Sequence, residues 1–322
     1  MTAPSTAHRD RKQTVPNTSP PRIHLGPHRD SSLVRGIEQG GGILVPLADA
    51  DAVVWARGPG TFPDNLPATV RWVQLPAAGV EPWISAGIVD DGRIWTSAAG
   101  AYARNVAEHG VLLLLAGVRA LTGQVRATSW RKAEFDPRVG TLHGSTVAII
   151  GCGGIGRAMI PLLTAFGARV LAVTRSGGPV PGAAETADAT RTAEIWSRAD
   201  HFVIAAPATS ATAHLVDADA LARMKSTAWI VNVARGSLID TDALVRALAD
   251  GSIGGAALDV TNPEPLPEGH PLWTLPNAVI TPHVANPAAG LTAVLADHVT
   301  ANVERFAAGK PLLATIDIER GY

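Results

Sequence analysis

One cysteine, two tyrosines and five phenylalanines are all that 322 residues contain of those types, and charge of neither sign is in excess. The lone Cys152 can close no internal disulfide, so the chain is not a disulfide-stapled scaffold. Its 27 basic and 28 acidic residues are scattered and leave a net charge of −1. No basic stripe exists to neutralise a phosphate backbone, and nucleic acid is not an expected partner. Long apolar runs are missing as well. The most apolar, 111–118 beside Arg119, falls far short of the roughly 20 residues that cross a bilayer, so no membrane partner is expected. The first residues carry charge where a signal peptide needs an apolar core, and the cytoplasm is the expected compartment.

What the chain does have is length and apolar material. At 322 residues it exceeds one ordinary core, and two domains are expected. Hydrophobic residues at 46% against 17% charged supply an interior for both. Residues 1–21, rich in Pro, Ser, Thr and charge, read as a flexible tail. Short apolar runs then recur at 23–25, 43–47, 52–55, 70–75 and 94–96, with a helical stretch at 31–39, which is βαβ alternation. The longest helical pattern, 103–121, has Asn105 near its start and apolar residues around most of its girth, so it should be buried on several sides. Runs at 146–150, 169–173, 201–206, 229–233, 255–259 and 278–281 read as strands of a parallel sheet covered by helices, the first of them at 157–165. A last helix, 291–307, precedes a strand-like 314–318 that has no place in the second sheet and is expected to return to the first. The first domain is then discontinuous, 22–100 plus 288–322, around an inserted 101–287.

Gly151, Gly153 and Gly156 spell GxGxxG between an apolar strand and a helix, the context that lifts this motif above a chance Gly-rich turn. The first glycine permits the tight turn, the second lets the backbone approach a pyrophosphate, and the third lets the helix pack on the sheet. The helix N-terminus offers N–H donors to the phosphates. Dinucleotide binding is expected. About 20 residues beyond, where an acid normally meets the adenosine ribose of NAD, the chain reads Thr174, Arg175, Ser176. With no carboxylate to repel a 2′-phosphate and a guanidinium to bind it, NADP is favoured, NAD being the alternative if Arg175 is a solvated loop residue. Cys152, inside the motif, reads as packing.

Further motifs, in order, are Val106-Ala107-Glu108-His109, Val231-Asn232-Val233-Ala234-Arg235-Gly236, Leu258-Asp259-Val260 with Glu264-Pro265-Leu266, and Thr281-Pro282-His283. With the glycine motif they make residues 22–322 resemble the D-isomer-specific 2-hydroxyacid dehydrogenases, a family that includes glyoxylate/hydroxypyruvate reductases, D-lactate dehydrogenases and phosphoglycerate dehydrogenases. The resemblance implies an α/β fold of two domains, a Rossmann-type doubly wound parallel sheet inserted into a smaller flavodoxin-like substrate domain, with the active site in the cleft between them. It also implies a homodimer formed around the 103–121 helix. Arg235 would hold the substrate carboxylate and carbonyl, His283 would be the general acid in reduction, and Glu264 its partner. Gly151, Gly153, Gly154, Ile155, Gly156, Thr174, Arg175, Ser176, Pro207, Val233 and Asp259 would meet the cofactor, Asp259 at the nicotinamide end. Ala78 and Gly79 would present backbone N–H groups to the substrate from the loop that runs from Ala77 to Glu81. After His283 the family commonly has a small or Gly-containing stretch, and Ala285, Asn286 and Pro287 depart from it.

Chemistry supports the same trio. Reducing a 2-oxo acid needs a fixed cation for the carboxylate, which arginine supplies as a fork. It needs a proton donor that recycles near neutral pH, which histidine supplies, and a carboxylate to orient that ring. Each residue singly suits a strand-end arginine, a loop acid and a turn histidine, but all three follow expected strand ends, where ligands bind in open α/β sheets. No metal is expected. Arg57, after the 52–55 run, matches a position where phosphoglycerate enzymes often carry an arginine for the substrate anion. No further Lys or Arg stands at 75–84, so a small unphosphorylated acid such as glyoxylate or hydroxypyruvate is favoured over phosphoglycerate. A dinucleotide-sensing regulator of the same fold is the alternative from another class.

Overall fold

The computed structural model describes residues 19–287 and 290–321. The expected tail lies, up to residue 18, outside the described residues. The chain forms two compact units, one holding the described residues up to Ala101 and those from 290 on, the other holding 102–287.

In the first unit β1 (Arg22–Gly26), β2 (Ile43–Leu44), β3 (Ala52–Trp55), β4 (Trp72–Gln74) and β5 (Ile94–Thr96) form a parallel sheet in the order β2-β1-β3-β4-β5. That is the flavodoxin-like order. The helix Ser31–Gln39 starts at Asp30, whose carboxylate accepts the N–H groups of Ser32 and Leu33 and so satisfies two orphan donors of the first turn. It packs against the last helix, Leu291–Ala307, where the Thr300 hydroxyl donates to Gly36 O at 2.9 Å. Period-two alternation divides β4: Trp72 and Gln74 face the last helix, at Phe306 and Asn302, while Val73 joins an aromatic cluster with Trp55, Trp83 and Trp95. Gln74 and Asn302 are fully buried and bonded to each other at 2.9 Å. Gln74 also donates to Leu75 O and Ser97 O, and Asn302 accepts Leu313 N–H at 2.7 Å. The expected strand at 314–318 does return to this sheet, but only as one antiparallel bridge, Thr96 to Thr315, because Ala314 turns the chain at φ +53°. The run at 43–47 is likewise shortened to two strand residues, Leu47 opening a 3-10 turn.

The second unit is a parallel sheet of β6 (Thr146–Ile150), β7 (Arg169–Thr174), β8 (Glu185–Asp188), β9 (His201–Ile204), β10 (Trp229–Asn232), β11 (Gly255–Leu258) and β12 (Ala278–Ile280), in the order β12-β11-β10-β9-β6-β7-β8. The order reverses at β6, whose neighbours are β7 and β9, and this is the doubly wound pattern with its switch point. Ala148 and Ile150 of β6 face a core with Phe202, Ile230, Leu244 and Leu248. The helices Ala103–Val118 and Gly154–Ala165 pack on each other, the former also against β10 and β11. The long helix ends three residues earlier than its pattern suggests. Ala120 takes φ +51° and a separate helix, Leu121–Arg126, follows. β8 is unanticipated: an edge strand needs no apolar run, and its Glu185 pairs with Arg198. No helix among the described residues is long and apolar enough to cross a membrane.

Candidate active site

Because every strand of the second sheet is parallel, all carboxyl ends open on one edge, and the singled-out residues of this unit collect there. Asn232, Leu258 and Ile280 are in register on β10, β11 and β12. Arg235 follows three residues after the first, Asp259 one after the second, and His283 three after the third. Arg235 is half-buried, and its Nη1 donates to Ala234 O at 2.7 Å. Its turn is clamped by Asn232, fully buried, whose Oδ1 accepts Ala234 N–H at 3.0 Å and whose Nδ2 donates to Arg235 O at 2.9 Å. The next residue must be glycine. A Cβ on Gly236 would stand 1.9 Å from Thr261 O, so only a bare backbone lets this turn lie against the loop that carries Glu264.

His283 Nδ1 lies 2.6 Å from Glu264 Oε1, and Thr261 N–H donates to Glu264 Oε2 at 3.3 Å. An ionised carboxylate only accepts, so Nδ1 carries the hydrogen and Nε2 is the nitrogen left to exchange a proton. Both side chains stay accessible, at 51% and 41% of full exposure, beside a cavity of about 260 Å³ walled by Leu266, Trp273 and Pro282. His283 itself sits at φ +53°, a conformation few non-glycine residues adopt. Asp259 holds it there. This carboxylate, 2% exposed, accepts the Thr281 hydroxyl at 2.6 Å and the N–H groups of Val284 and Ala285 at 2.9 and 3.1 Å, while its backbone oxygen accepts His283 N–H at 2.9 Å. His109 of the long helix adds Nε2 at 3.0 Å from the Thr281 hydroxyl and 3.2 Å from the carboxylate.

At the switch point Gly151 takes φ +89°, and a Cβ there would come within 2.3 Å of the Ala206 backbone beyond β9. Gly153 is exposed, with nothing within 4 Å of where its Cβ would be, so a ligand can approach the bare backbone. The helix that begins at Gly154 has no side-chain cap. Gly154 is exposed, Ile155 half-buried and Gly156 buried, pressed on Cys152 and Ile149. Burial holds the Cys152 thiol above its ordinary pKa, partly opposed by Arg157, and keeps it unreactive. Thr174, ending β7, has a buried hydroxyl that no described group satisfies, and Arg175 and Ser176 are exposed beside it. An open glycine cradle and an orphaned hydroxyl one strand away fit a dinucleotide whose pyrophosphate meets the first and whose ribose meets the second.

The profile described as "D-isomer specific 2-hydroxyacid dehydrogenase, NAD binding domain" matches residues 109–285. The chain belongs to the D-isomer-specific 2-hydroxyacid dehydrogenases. It is 42% identical, over 92% of its length and 98% of the other, to an uncharacterised protein of the proB 3′ region in Corynebacterium melassecola. It is 38% identical over 65% of its length to a glycerate dehydrogenase of Methylorubrum extorquens, of which it covers 68%. An NADPH-dependent glyoxylate/hydroxypyruvate reductase of Sinorhizobium meliloti, solved with NADP and malonate, matches with a TM-score of 0.68 at 25% identity, over 94% of this chain and 98% of that one.

The chain is therefore an NAD(P)-dependent oxidoreductase acting on CH–OH groups, and the remaining expected residues of this dehydrogenase can be placed. Val233 is buried after β10, and Pro207 is exposed after β9, its carbonyl accepting the Thr212 hydroxyl. In the first unit Arg57 is exposed beyond β3, Ala78 is exposed and Gly79 half-buried in the loop after β4. Asp259, expected as a nicotinamide contact, accepts hydrogen bonds from Thr281, Val284 and Ala285 and so also positions the segment that carries His283. Sequence reasoning assigned no role to Asn232 or His109. An Asn at the end of an apolar strand, three residues before Arg235, and a histidine one residue before the apolar stretch 110–118 were the signals available.

Proposed function

We propose that this dehydrogenase reduces small unphosphorylated 2-oxo acids, glyoxylate or hydroxypyruvate foremost, to 2-hydroxy acids of D configuration with NADPH. The observation that carries the reading is the His283–Glu264 pair at 2.6 Å, accessible and set on the strand edge that also presents Arg235. Arg235 grips the carboxylate and the carbonyl oxygen, fixing the substrate's orientation and stabilising charge that grows on oxygen. His283 delivers the proton from Nε2, and Glu264 supports the ring while it is an imidazolium. The glycine loop and the helix behind it hold the pyrophosphate, and the bound nicotinamide supplies the hydride. Support for NADPH comes from Arg175 and Ser176 after β7, whose own end carries no acid while Asp188 opposite it on β8 is taken up by Thr190, and from the bound NADP of the Sinorhizobium reductase. Support for the substrate class comes from the glycerate dehydrogenase and the glyoxylate/hydroxypyruvate reductase to which the chain is similar.

The test is a panel of glyoxylate, hydroxypyruvate, phosphohydroxypyruvate and pyruvate with NADPH and with NADH, followed by cofactor absorbance. Hydroxypyruvate or glyoxylate should give the highest kcat/KM. A preference for the phosphorylated acid would bring Arg57 into the site instead, and turnover of none would make the chain a dinucleotide-sensing regulator. The protein is further proposed to be a homodimer through the region of the 103–121 helix, since Leu112, Val125 and Trp130 expose 55%, 70% and 92% of their surface. Light scattering that returns a monomer's mass would refute it.

A further inference from the structure

The segment that carries the proton-donating histidine has no apolar packing to hold it. Pro282, His283 and Val284 are all exposed, and His283 stands at φ +53°. A backbone in that conformation persists only where its surroundings fix it, and here hydrogen bonds must do so. Asp259, at the end of β11, accepts several of them. Others come from one face of the long helix, Ala103–Val118.

His109, half-buried in that helix, brings Nε2 to 3.0 Å from the hydroxyl of Thr281, two residues before His283, and to 3.2 Å from Asp259 Oδ1. The Thr281 hydroxyl gives its single hydrogen to Asp259 Oδ1 at 2.6 Å, so towards His109 it can only accept. His109 Nε2 therefore carries a hydrogen and donates it. Asn105, four residues earlier and so on the same helix face, donates from Nδ2 to Asn286 Oδ1 at 3.3 Å, three residues after His283. One helix thus bonds the chain on both sides of the histidine. It is a firm support, because Val106, Ala107, Gly110 and Val111 are buried around these two residues. The same helix packs on Gly154–Ala165, whose N-terminus backs the glycine cradle, with Gly110 against Met159.

We propose that His109 is a positioning residue for the reduction. Acting through Thr281 and Asp259, it registers the His283 imidazole against the helix that also supports the cofactor cradle. Nε2 of His283 then meets the carbonyl oxygen where the hydride reaches the carbon. The inference rests on His283 as the proton donor.

The test is steady-state kinetics with NADPH and hydroxypyruvate or glyoxylate, together with melting curves, on His109→Leu, His109→Gln and His283→Asn, and on His109→Leu combined with His283→Asn. Leucine fills the space without a donor, and glutamine returns an N–H near the place of Nε2. His109→Leu should lower kcat by about tenfold to a hundredfold, the cost of a small misplacement of a reacting group, while KM for NADPH stays near wild type. Glutamine should recover most of that loss. Asparagine at 109, polar but too short to reach Thr281, should lose as much as leucine and serves where leucine disturbs the helix. In the His283→Asn background the leucine substitution should cost nothing more, because no imidazole is left to place. A residue that only stabilised the fold would slow that variant again. Wild-type kcat in both the leucine and the asparagine variants, a glutamine variant as slow as they are, or a further loss on top of His283→Asn would each overturn the positioning role. Wild-type kcat in His283→Asn itself would overturn this role and the proton donor together, which separates the two failures.

Discussion

Replacing Asp259 by Asn tests whether the proton-donating histidine is held by this buried carboxylate. In the native chain Oδ1 accepts the Thr281 hydroxyl and Val284 N–H, while Oδ2 accepts Ala285 N–H. An asparagine can keep its carbonyl oxygen in the Oδ1 position, but its NH2 then faces Ala285 N–H, donor against donor. One charge-assisted bond is lost and a buried N–H is orphaned, a cost of about 1.5–3 kcal/mol. For a unit of this size that lowers the melting temperature by roughly 3 to 12 °C. Activity should fall more sharply than stability suggests. The segment that loosens includes His283, whose φ of +53° depends on the surrounding bonds, so kcat should drop at least about tenfold. Cofactor affinity should stay near wild type, because the glycine loop follows β6, three strands away from β11. Differential scanning fluorimetry, steady-state kinetics with hydroxypyruvate and a fluorescence titration of NADPH read the three quantities. Native kcat in a folded Asp259→Asn protein would refute the positioning role, and a loss confined to NADPH affinity would return Asp259 to the nicotinamide.

His283→Asn should lower kcat about a hundredfold or more while NADPH binding survives, which single-turnover absorbance and the same titration separate. Arg235→Lys should depress kcat/KM for every 2-oxo acid, since an ammonium cannot make the two-point grip; wild-type efficiency across the panel would place the carboxylate elsewhere. Thr174→Asp with Arg175→Ala should reverse the order of KM from NADPH-preferring to NADH-preferring, by about tenfold to a hundredfold, and an unchanged ratio would remove both residues from the ribose site. Burial pushes the His201 pKa down to about 4, partly opposed by Asp200, and its Nδ1 accepts Trp229 N–H. The unfolded ring protonates first as pH falls, so stability should decline from about pH 6.5 towards pH 4, by up to about 3 kcal/mol, and urea midpoints should show a shallower decline in His201→Gln.

Much of this was legible in the sequence, for identifiable reasons. The strands Ala52–Trp55, Ile94–Thr96 and Thr146–Ile150 and the helices Ser31–Gln39 and Leu291–Ala307 fall where apolar runs and periodicity place them, because each buries a face that the pattern records. β8 escaped because an edge strand held by Glu185 and Arg198 leaves no apolar run, and the break at Ala120 escaped because a left-handed alanine has no composition signal. In the site, motif order was enough to gather Arg235, Glu264 and His283, since parallel strands send all their carboxyl ends to one edge. The bonds that hold them were not readable. Asp259 reaches residues 25 and 26 positions away, and His109 reaches Thr281 across 172, and no local pattern encodes such pairs.

The departure after His283 follows from the same logic. After His283, where the resemblance implies a small or Gly-containing stretch, the chain has Ala285, Asn286 and Pro287, and the first two are tied down. Ala285 is buried with its N–H on Asp259, and Asn286 accepts a hydrogen bond at 3.3 Å from Asn105 of the long helix. Asn105 thus does not cap that helix, which begins after Tyr102 without a side-chain cap. Backbone amides would reach Asp259 whatever side chains follow the histidine, so what this segment adds is the Asn286 side chain, bonded to Asn105. Here the carboxylate fixes the two following amides and the helix fixes the residue after them, so the left-handed turn is set from both sides. What the altered segment adds is thus a side-chain tie to the long helix, which leaves the His283 backbone held by Asp259 on one side and the chain after it held by Asn105 on the other.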